Sequence, residues 1–442
     1  MNNLNLEILS TKIKKYLKLL LSLQYVDIIG NTLLVIKSNK TSGLFSNNNI
    51  LIIDDSDGRM RFLENETQNY NLNLIWLSRT VTDVLFKKFI KFEKEKGFGE
   101  WSIENYYAPT MLLNRELLVK RYIKLIRPLI KIYKIKLIIL PKLNDDWIID
   151  FQKAAKELNL KILVNDRESS ISPKRMEVYP PILNEIKHDL NNVDTLCVNN
   201  EMHYEFFIKS GISKEKIRLT GSPQSDFWQT ERTEKHFAVD KNKINILYLG
   251  FGVNAYLNFY FKEINSNWNS LCSDIHNIFT EQLIKNNQNF NIYYKIGSKP
   301  ARDYWSGYDE FLNQLKINNV NDSLVEIKEN FYTPSILDSF DAIISFQSTG
   351  LVEAMFSQIP IISFGWGDLY ESIKDSLHDF ENSGISFANS KKDFTQIIED
   401  LINNKKIHMD RSKFKKTIYD YLYLCDGNSS KRILNEALLL LK

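Results

Sequence analysis

Short, mostly apolar runs recur along this chain, and helical periodicity follows most of them. The runs are ILII at 50–53, LIWL at 74–77, KLIIL at 136–140, KILV at 161–164, Val193–Val198 and Lys216–Leu219. They do not alternate apolar with polar residues, so they read as strands buried on both faces. Helical patterns at Trp147–Leu158 and Glu201–Ser210 lie between them. Strands alternating with such helices specify a parallel sheet with helices on both sides. The stretch Glu231–Lys243, ERTEKHFAVDKNK, is charged and poor in apolar residues. After it the pattern restarts, with strands INILYL (244–249), NIYYK (291–295), Leu324–Ile327, AIIS (342–345) and PIISF (360–364). Helices Ser270–Asn286, Leu351–Ser357 and Lys392–Asn403 alternate with these strands. The expected fold class is α/β, with two doubly wound, Rossmann-like domains facing each other across a cleft. The expected boundaries are 1–230, a linker at 231–243, 244–428, and a terminal helix over 429–442 that can cross back to the first domain.

Ahead of the first clear strand, Ile13–Ile36 reads as a helix followed by a strand. Thr80–Tyr133 reads as helical and contains RELLVKRYIKLIRPLIKIYK at 115–134, a basic amphipathic segment that Pro128 is expected to break. That segment fits a core helix with a solvated face, or a helix lying on an anionic membrane.

A chain of 442 residues with 43% hydrophobic and 25% charged residues can build large cores. A net charge of +3 gives no case for a nucleic-acid partner. The three cysteines, Cys197, Cys272 and Cys425, are far apart, which fits a reducing compartment and excludes a disulfide framework or zinc module. No apolar run approaches a membrane span, and Met1–Ser10 lacks the pattern of a signal peptide. The expected location is cytoplasmic. The six histidines show neither HxxxH nor HxH spacing, and no P-loop or GxSxG occurs. No metal or cofactor is expected.

Doubly wound sheets bind ligands beyond the carboxyl ends of their strands. After AIIS comes Phe346-Gln347-Ser348-Thr349-Gly350 and then a helix carrying Glu353. Small hydroxyl residues and a glycine at a helix start suit phosphate oxygens, and Glu353 can accept hydrogen bonds from ribose hydroxyls. The same residues also describe a plain helix cap. After INILYL comes Gly250-Phe251-Gly252, where glycine permits close backbone approach or a tight turn. After NIYYK come Gly297, Lys299, Pro300 and Arg302, so that Lys295, Lys299 and Arg302 can neutralise a diphosphate. After KILV comes Asn165-Asp166-Arg167-Glu168, which offers a carboxylate general base with an arginine beside it, or a loop salt bridge. Asp54, Asp55 and Asp57 form a second acidic loop. Gly221, Ser222, Pro223 and Asp226 form a turn able to carry a ligand or the hinge of the cleft.

Four stretches resemble the GT-B-fold transferases of bacterial surface polysaccharides, a group that includes capsule Kdo transferases and CDP-glycerol glycerophosphotransferases. The segment over 191–228 ends in a turn with Gly221, Pro223 and Asp226, similar to that group's G-x-P-x-x-D. DAIISFQSTGLVEAMFSQIPIISF resembles its donor motif, with Ser345, Ser348, Thr349, Gly350 and Glu353 in matching places. IYYKIGSKP stands where those enzymes have a lysine followed by His-Pro, and CDGNSSKRI at 425–433 resembles the closing motif of the glycerophosphotransferases. The resemblance covers about residues 160–440. Two departures stand out. Lys299-Pro300 replaces His-Pro, and no His-Gly loop occupies the first domain.

The resemblance implies an inverting, metal-independent glycosyltransferase of capsule or O-antigen type. It would move a sugar from a nucleotide-activated donor to a glycan or lipid-linked acceptor, with peripheral contact at the inner membrane face. In it Glu168 or Asp166, beside Arg167, is the base. Gly250, Gly252, Lys295, Lys299, Ser345, Gln347, Ser348, Thr349, Gly350 and Glu353 hold the donor. Non-hydrolysing UDP-sugar 2-epimerases share this fold and a similar turn, so epimerisation is an alternative reading. Glycerol- or polyol-phosphate transfer and an inactive assembly scaffold are others.

Overall fold

The apolar runs are strands. The computed structural model describes residues 35–38, 48–54, 59–90, 106–143, 148–166, 171–228, 237–250, 268–286, 289–295, 308–327 and 333–442. The chain divides into two units. The first comprises Met1–Glu168, Pro180–Asp226 and Asp426–Lys442, and the second comprises Ser169–Tyr179 and Phe227–Cys425. Each contains one sheet, so the α/β fold with two doubly wound units is the one expected from the sequence.

In the first unit the strands are β1 (Val35–Ser38), β2 (Asn49–Asp54), β3 (Asn73–Ser78), β4 (Leu137–Leu140), β5 (Lys161–Asn165), β6 (Thr195–Val198) and β7 (Ile217–Leu219). Their order is β1-β3-β2-β4-β5-β6-β7. All pairs are parallel except β1 with β3 at the edge. Ile50 on β2 lies opposite Leu74 of β3 and Leu137 of β4, and Ile50 to Ile53 are all fully buried. A strand flanked on both edges and covered on both faces has no solvated side, hence the unbroken ILII.

The longer helices of this unit are α1 (Arg79–Phe89), α2 (Leu112–Tyr133), α3 (Ile148–Glu157), α4 (Pro173–Glu185, whose first residues group with the second unit) and α5 (Glu201–Lys209). Two of them correct the sequence reading. Pro128 does not break α2, which runs through it. Burial of Leu125, Ile126 and Leu129 holds the turns on either side, and this packing outweighs the one backbone bond that proline cannot make. Helix α4 has no counterpart in the sequence reading, and Pro180 and Pro181 lie inside it. Pro180 and Leu183 are buried, and again tertiary packing keeps the helix.

In the second unit the strands are β8 (Ile244–Leu249), β9 (Phe290–Lys295), β10 (Leu324–Ile327), β11 (Ala342–Ile344), β12 (Ile361–Phe364) and β13 (Ser386–Ala388). They run in the order β10-β9-β8-β11-β12-β13, all parallel. Successive residues feed opposite faces. Ile246, Tyr248, Ile292 and Tyr294 join one core with α6 (Trp268–Lys285), α7 (Tyr308–Ile317) and α8 (Lys391–Ile402). Leu247, Leu249, Tyr293 and Ile343 join the other with the short helix Gly350–Ala354 and α9 (Phe414–Leu422).

The terminal helix α10 (Ser429–Leu441) groups with the first unit. Its Ile433, Leu434 and Ala437 are buried against Ile52, Leu137, Ile139 and Leu163 of the first sheet.

Candidate functional site

In the second sheet β8 is central. Strands β9 and β10 follow on one side of it, and β11, β12 and β13 on the other. The winding therefore reverses between β8 and β11. The crevice outside the carboxyl ends at such a reversal is the usual ligand site of a doubly wound sheet. Two loops singled out in the sequence end there, Gly250 after β8 and Ser345–Gly350 after β11.

These loops are joined to one another. Ile344 lies opposite Tyr248, and the next residue, Ser345, donates from Oγ to the Leu249 carbonyl at 2.9 Å. A Cβ on Gly350 would stand 2.7 Å from Leu249 Cδ1, so glycine lets the loop close over the end of β8. Lys295 ends β9 opposite Leu249, and its carbonyl accepts from the Gly250 N–H at 3.1 Å. Gly250, Lys295 and Ser345–Gly350 thus occupy one strand end. Gly252 and Lys299 lie outside the described residues, as do Arg302 and residues 231–236 of the expected linker.

The geometry divides the loop into framework and donors. Ser345 and Gln347 are buried. Gln347 bridges to His378, accepting its N–H at 2.8 Å and donating to its carbonyl at 3.2 Å. Burial, and secondarily the charge of Arg175, lowers the His378 pKa to about 4. Ser348, Thr349 and Glu353 are half-buried. The Ser348 hydroxyl accepts from the Gly350 N–H at 3.2 Å and keeps its own proton to donate. The Thr349 hydroxyl makes no hydrogen bond to a described residue.

The helix behind the loop, Gly350–Ala354, has five residues. It is shorter than the expected Leu351–Ser357, and its first N–H groups bond within the loop, Leu351 to Ser348 and Val352 to Thr349. The loop presents the hydroxyls of Ser348 and Thr349, while the first N–H groups of the helix behind it are already bonded.

Sequence reading missed two further features here. The Gln347–His378 bridge joins residues 31 positions apart, which no local spacing signals. Gly365-Trp366-Gly367 follows β12, next to β11 in the sheet, and two glycines after an apolar run were the available signal. A Cβ on Gly365 would collide with the Tyr370 ring at 2.3 Å, Gly367 has φ +87°, and Trp366 Nε1 donates to Asp274 at 3.2 Å.

In the first unit, Asp166 follows β5. It is buried and its N–H donates to the Cys197 carbonyl at 3.0 Å. Arg167 and Glu168 lie outside the described residues, as do Asp55 and Asp57. The turn at Gly221–Asp226 seats α10. The two Asp226 carboxylate oxygens accept from the N–H groups of Ser429 (3.0 Å) and Ser430 (2.8 Å). Arg432 Nε donates to the Thr220 carbonyl at 2.7 Å, and a Cβ on Gly221, at φ +78°, would meet Ser429 Oγ at 2.7 Å. Ser222 and Pro223 are buried in the same turn. The chain leaves the first unit directly after Asp226 and rejoins it at Asp426. Among the described residues no cluster of His, Cys, Asp or Glu could hold a metal ion.

No family model matches the chain. No curated protein matches it either. Solved structures do. A UDP-N-acetylglucosamine 2-epimerase is 12% identical, over 89% of this chain and 95% of its own, with a TM-score of 0.52. The S. aureus MnaA–UDP structure is 14% identical over 89% and 98%, with a TM-score of 0.50. A glycosyltransferase from Rickettsia africae is 13% identical over 89% and 99%, with a TM-score of 0.48. At these identities the likeness with the first two is one of fold, and the fold of the chain is the two-unit GT-B architecture.

Proposed function

We propose that this chain is a metal-independent, inverting glycosyltransferase that takes a nucleotide-activated sugar at the carboxyl end of β8 and β11. The observation that carries the reading is the joining of Gly250, Lys295 and the Ser345–Gly350 loop at the winding reversal of the second sheet. The hydroxyls of Ser348 and Thr349 donate to the phosphates of the donor, Lys295 and Lys299 offset their charge, and Glu353 accepts from the ribose. Ser345 and Gln347 hold the loop and do not touch the donor. Donors fixed in this way act on the charge that grows on the leaving phosphate in the transition state. Asp166 is buried, which leaves Glu168 as the base that removes the acceptor hydroxyl proton, with Arg167 beside it. The acceptor is a surface glycan or its lipid-linked precursor, as in the transferases that the donor motif resembles.

Calorimetric titration with UDP, CDP and CMP tests the site. One of the three binds, and the double variant Ser348→Ala/Thr349→Val weakens it about 10–100-fold, as expected for lost hydrogen bonds to charged oxygens. Wild-type protein that binds none of them would overturn the reading.

A second reading, UDP-sugar 2-epimerase, draws support from the named activity of the first similar structure. Incubation with UDP-N-acetylglucosamine alone separates the two. The epimer visible by NMR, without any acceptor, favours epimerisation.

A further inference from the structure

Helix α2 of the first unit has two faces of opposite character. Arg115, Leu118, Tyr122, Leu125 and Leu129 point inward and are buried. On the opposite side, Leu113, Leu117, Lys120, Lys124, Arg127 and Lys131, with the capping Lys134, follow one another at steps of four and three residues. Alternate steps of four and three keep side chains on one face of a helix, so the six within α2 form a single line, with Lys134 following at its cap. All seven are exposed, Leu113 by 67% and Leu117 by 39%. The line is about 32 Å long at the rise of an α-helix.

Five consecutive members of the line are cations, and none has an ion-pair partner among the described residues. Glu116 is the one exposed acid on the helix. The chain as a whole carries only +3, so this row is a local concentration and not a reflection of bulk charge. Leu112 is exposed by 50% beside Leu113, so three leucines crowd the end where the cations stop. Arg115, which the sequence placed in the basic segment, takes no part, because it is buried against Asp150.

We infer that this face of α2 is a docking surface for an anionic lipid bilayer. A row of long cationic side chains along one helix face can reach the same layer of headgroups, with each contributing attraction near a negative surface. The leucines at the row's end enter the boundary between headgroups and acyl chains, a role they would not have on a phosphate backbone or an acidic protein rim. No described helix is long and apolar enough to cross a membrane, so the attachment is peripheral. This inference stands whether or not the donor-site reading is right.

Co-sedimentation with vesicles tests it. Wild-type protein binds vesicles of phosphatidylglycerol and phosphatidylcholine in equal parts, does not bind pure phosphatidylcholine, and is released by salt. The variant Lys120→Gln/Lys124→Gln/Lys131→Gln lowers the partition coefficient roughly 100-fold, at about fivefold per basic residue. Neutralising the exposed Lys392, Lys406 and Lys415 of the second unit leaves it unchanged. The variant Leu113→Ser/Leu117→Ser keeps the preference for phosphatidylglycerol but binds more weakly. All variants alter exposed side chains, and matching thermal melts confirm their folding. Equal binding to both vesicle types, an unchanged triple-lysine variant, or an equal loss in the second-unit control overturns the inference. So does a leucine variant that binds as tightly as wild type, or a DNA duplex that binds the same row more tightly than the vesicles do.

Discussion

The two units share an architecture but manage buried polarity in opposite ways. The first unit buries charge and pairs it. Arg115, 8% exposed, donates to Asp150 at 2.9 Å and lies over the rings of both Tyr106 and Tyr107, its guanidinium carbon 4.4 and 4.2 Å from their centroids. Tyr106 donates to Asp150 and Tyr107 to Asp189. Burial works against the Arg115 charge, yet the bonds and charge of Asp150 outweigh it and raise its pKa. The second unit instead buries rings that stay neutral. His276 stacks on Phe311 at 4.3 Å and meets Tyr248 edge-on, while Tyr248 packs on Phe279 and Tyr294. Paired charge is costly to break from one side, whereas neutral rings are vulnerable to protonation.

The largest break in this comparison is Arg115→Met. It strands Asp150 in a site 1% exposed, and losing one partner of such a pair costs about 3–5 kcal/mol. Hydrogen exchange should show α2 and α3 opening more easily, with β8 and β9 unchanged. Equal loosening of both units would break the contrast. Next in size is Asp226→Ala. Asn428, the residue at the start of α10, makes no side-chain cap, so Asp226 supplies the cap from 203 positions away. Removing two charge-assisted bonds at a helix start costs about 3 kcal/mol. The same exchange measurement should show α10 losing protection first.

The sequence disclosed the fold well, because parallel strands buried on both faces leave an unmistakable record in runs such as ILII and INILYL. It disclosed the site only in part. The loop at 345–350 was visible as serine, threonine and glycine after a strand, but the same letters concealed two kinds of role. Ser345 ties β11 to β8, and Ser348 and Thr349 keep hydroxyl protons to offer. Depth of burial separates them, and burial is set by neighbours distant in sequence. The Gly221–Asp226 turn illustrates the same limit. Its residues suggested a ligand or a hinge, while its partners, Ser429 and Arg432, lie more than 200 positions on. Pro128 misled for the converse reason, since local propensity spoke clearly and tertiary packing overruled it.

The smallest effect sharpens the comparison from the second unit. His276 is 4% exposed, and its Nε2 has no hydrogen-bond partner among the described residues. Burial lowers its pKa from 6.5 to about 4. Above pH 6.5 the ring is neutral whether the chain is folded or unfolded, so it adds no pH dependence. Between 6.5 and 4 the unfolded chain takes up a proton that the folded one refuses, and stability falls as pH falls. At pH 5 this amounts to on the order of 2 kcal/mol. His276→Phe keeps the stack on Phe311 and removes the titrating group. The variant should therefore lose about 2 kcal/mol less than wild type between pH 7.5 and pH 5, read from exchange protection of β8 and β9. The protection of β2 and β4 should respond to acid identically in the two proteins. An identical response in β8 and β9 as well would mean that the buried imidazole is not what makes the second unit acid-sensitive. The contrast between paired charge and neutral rings would then fail on its second side.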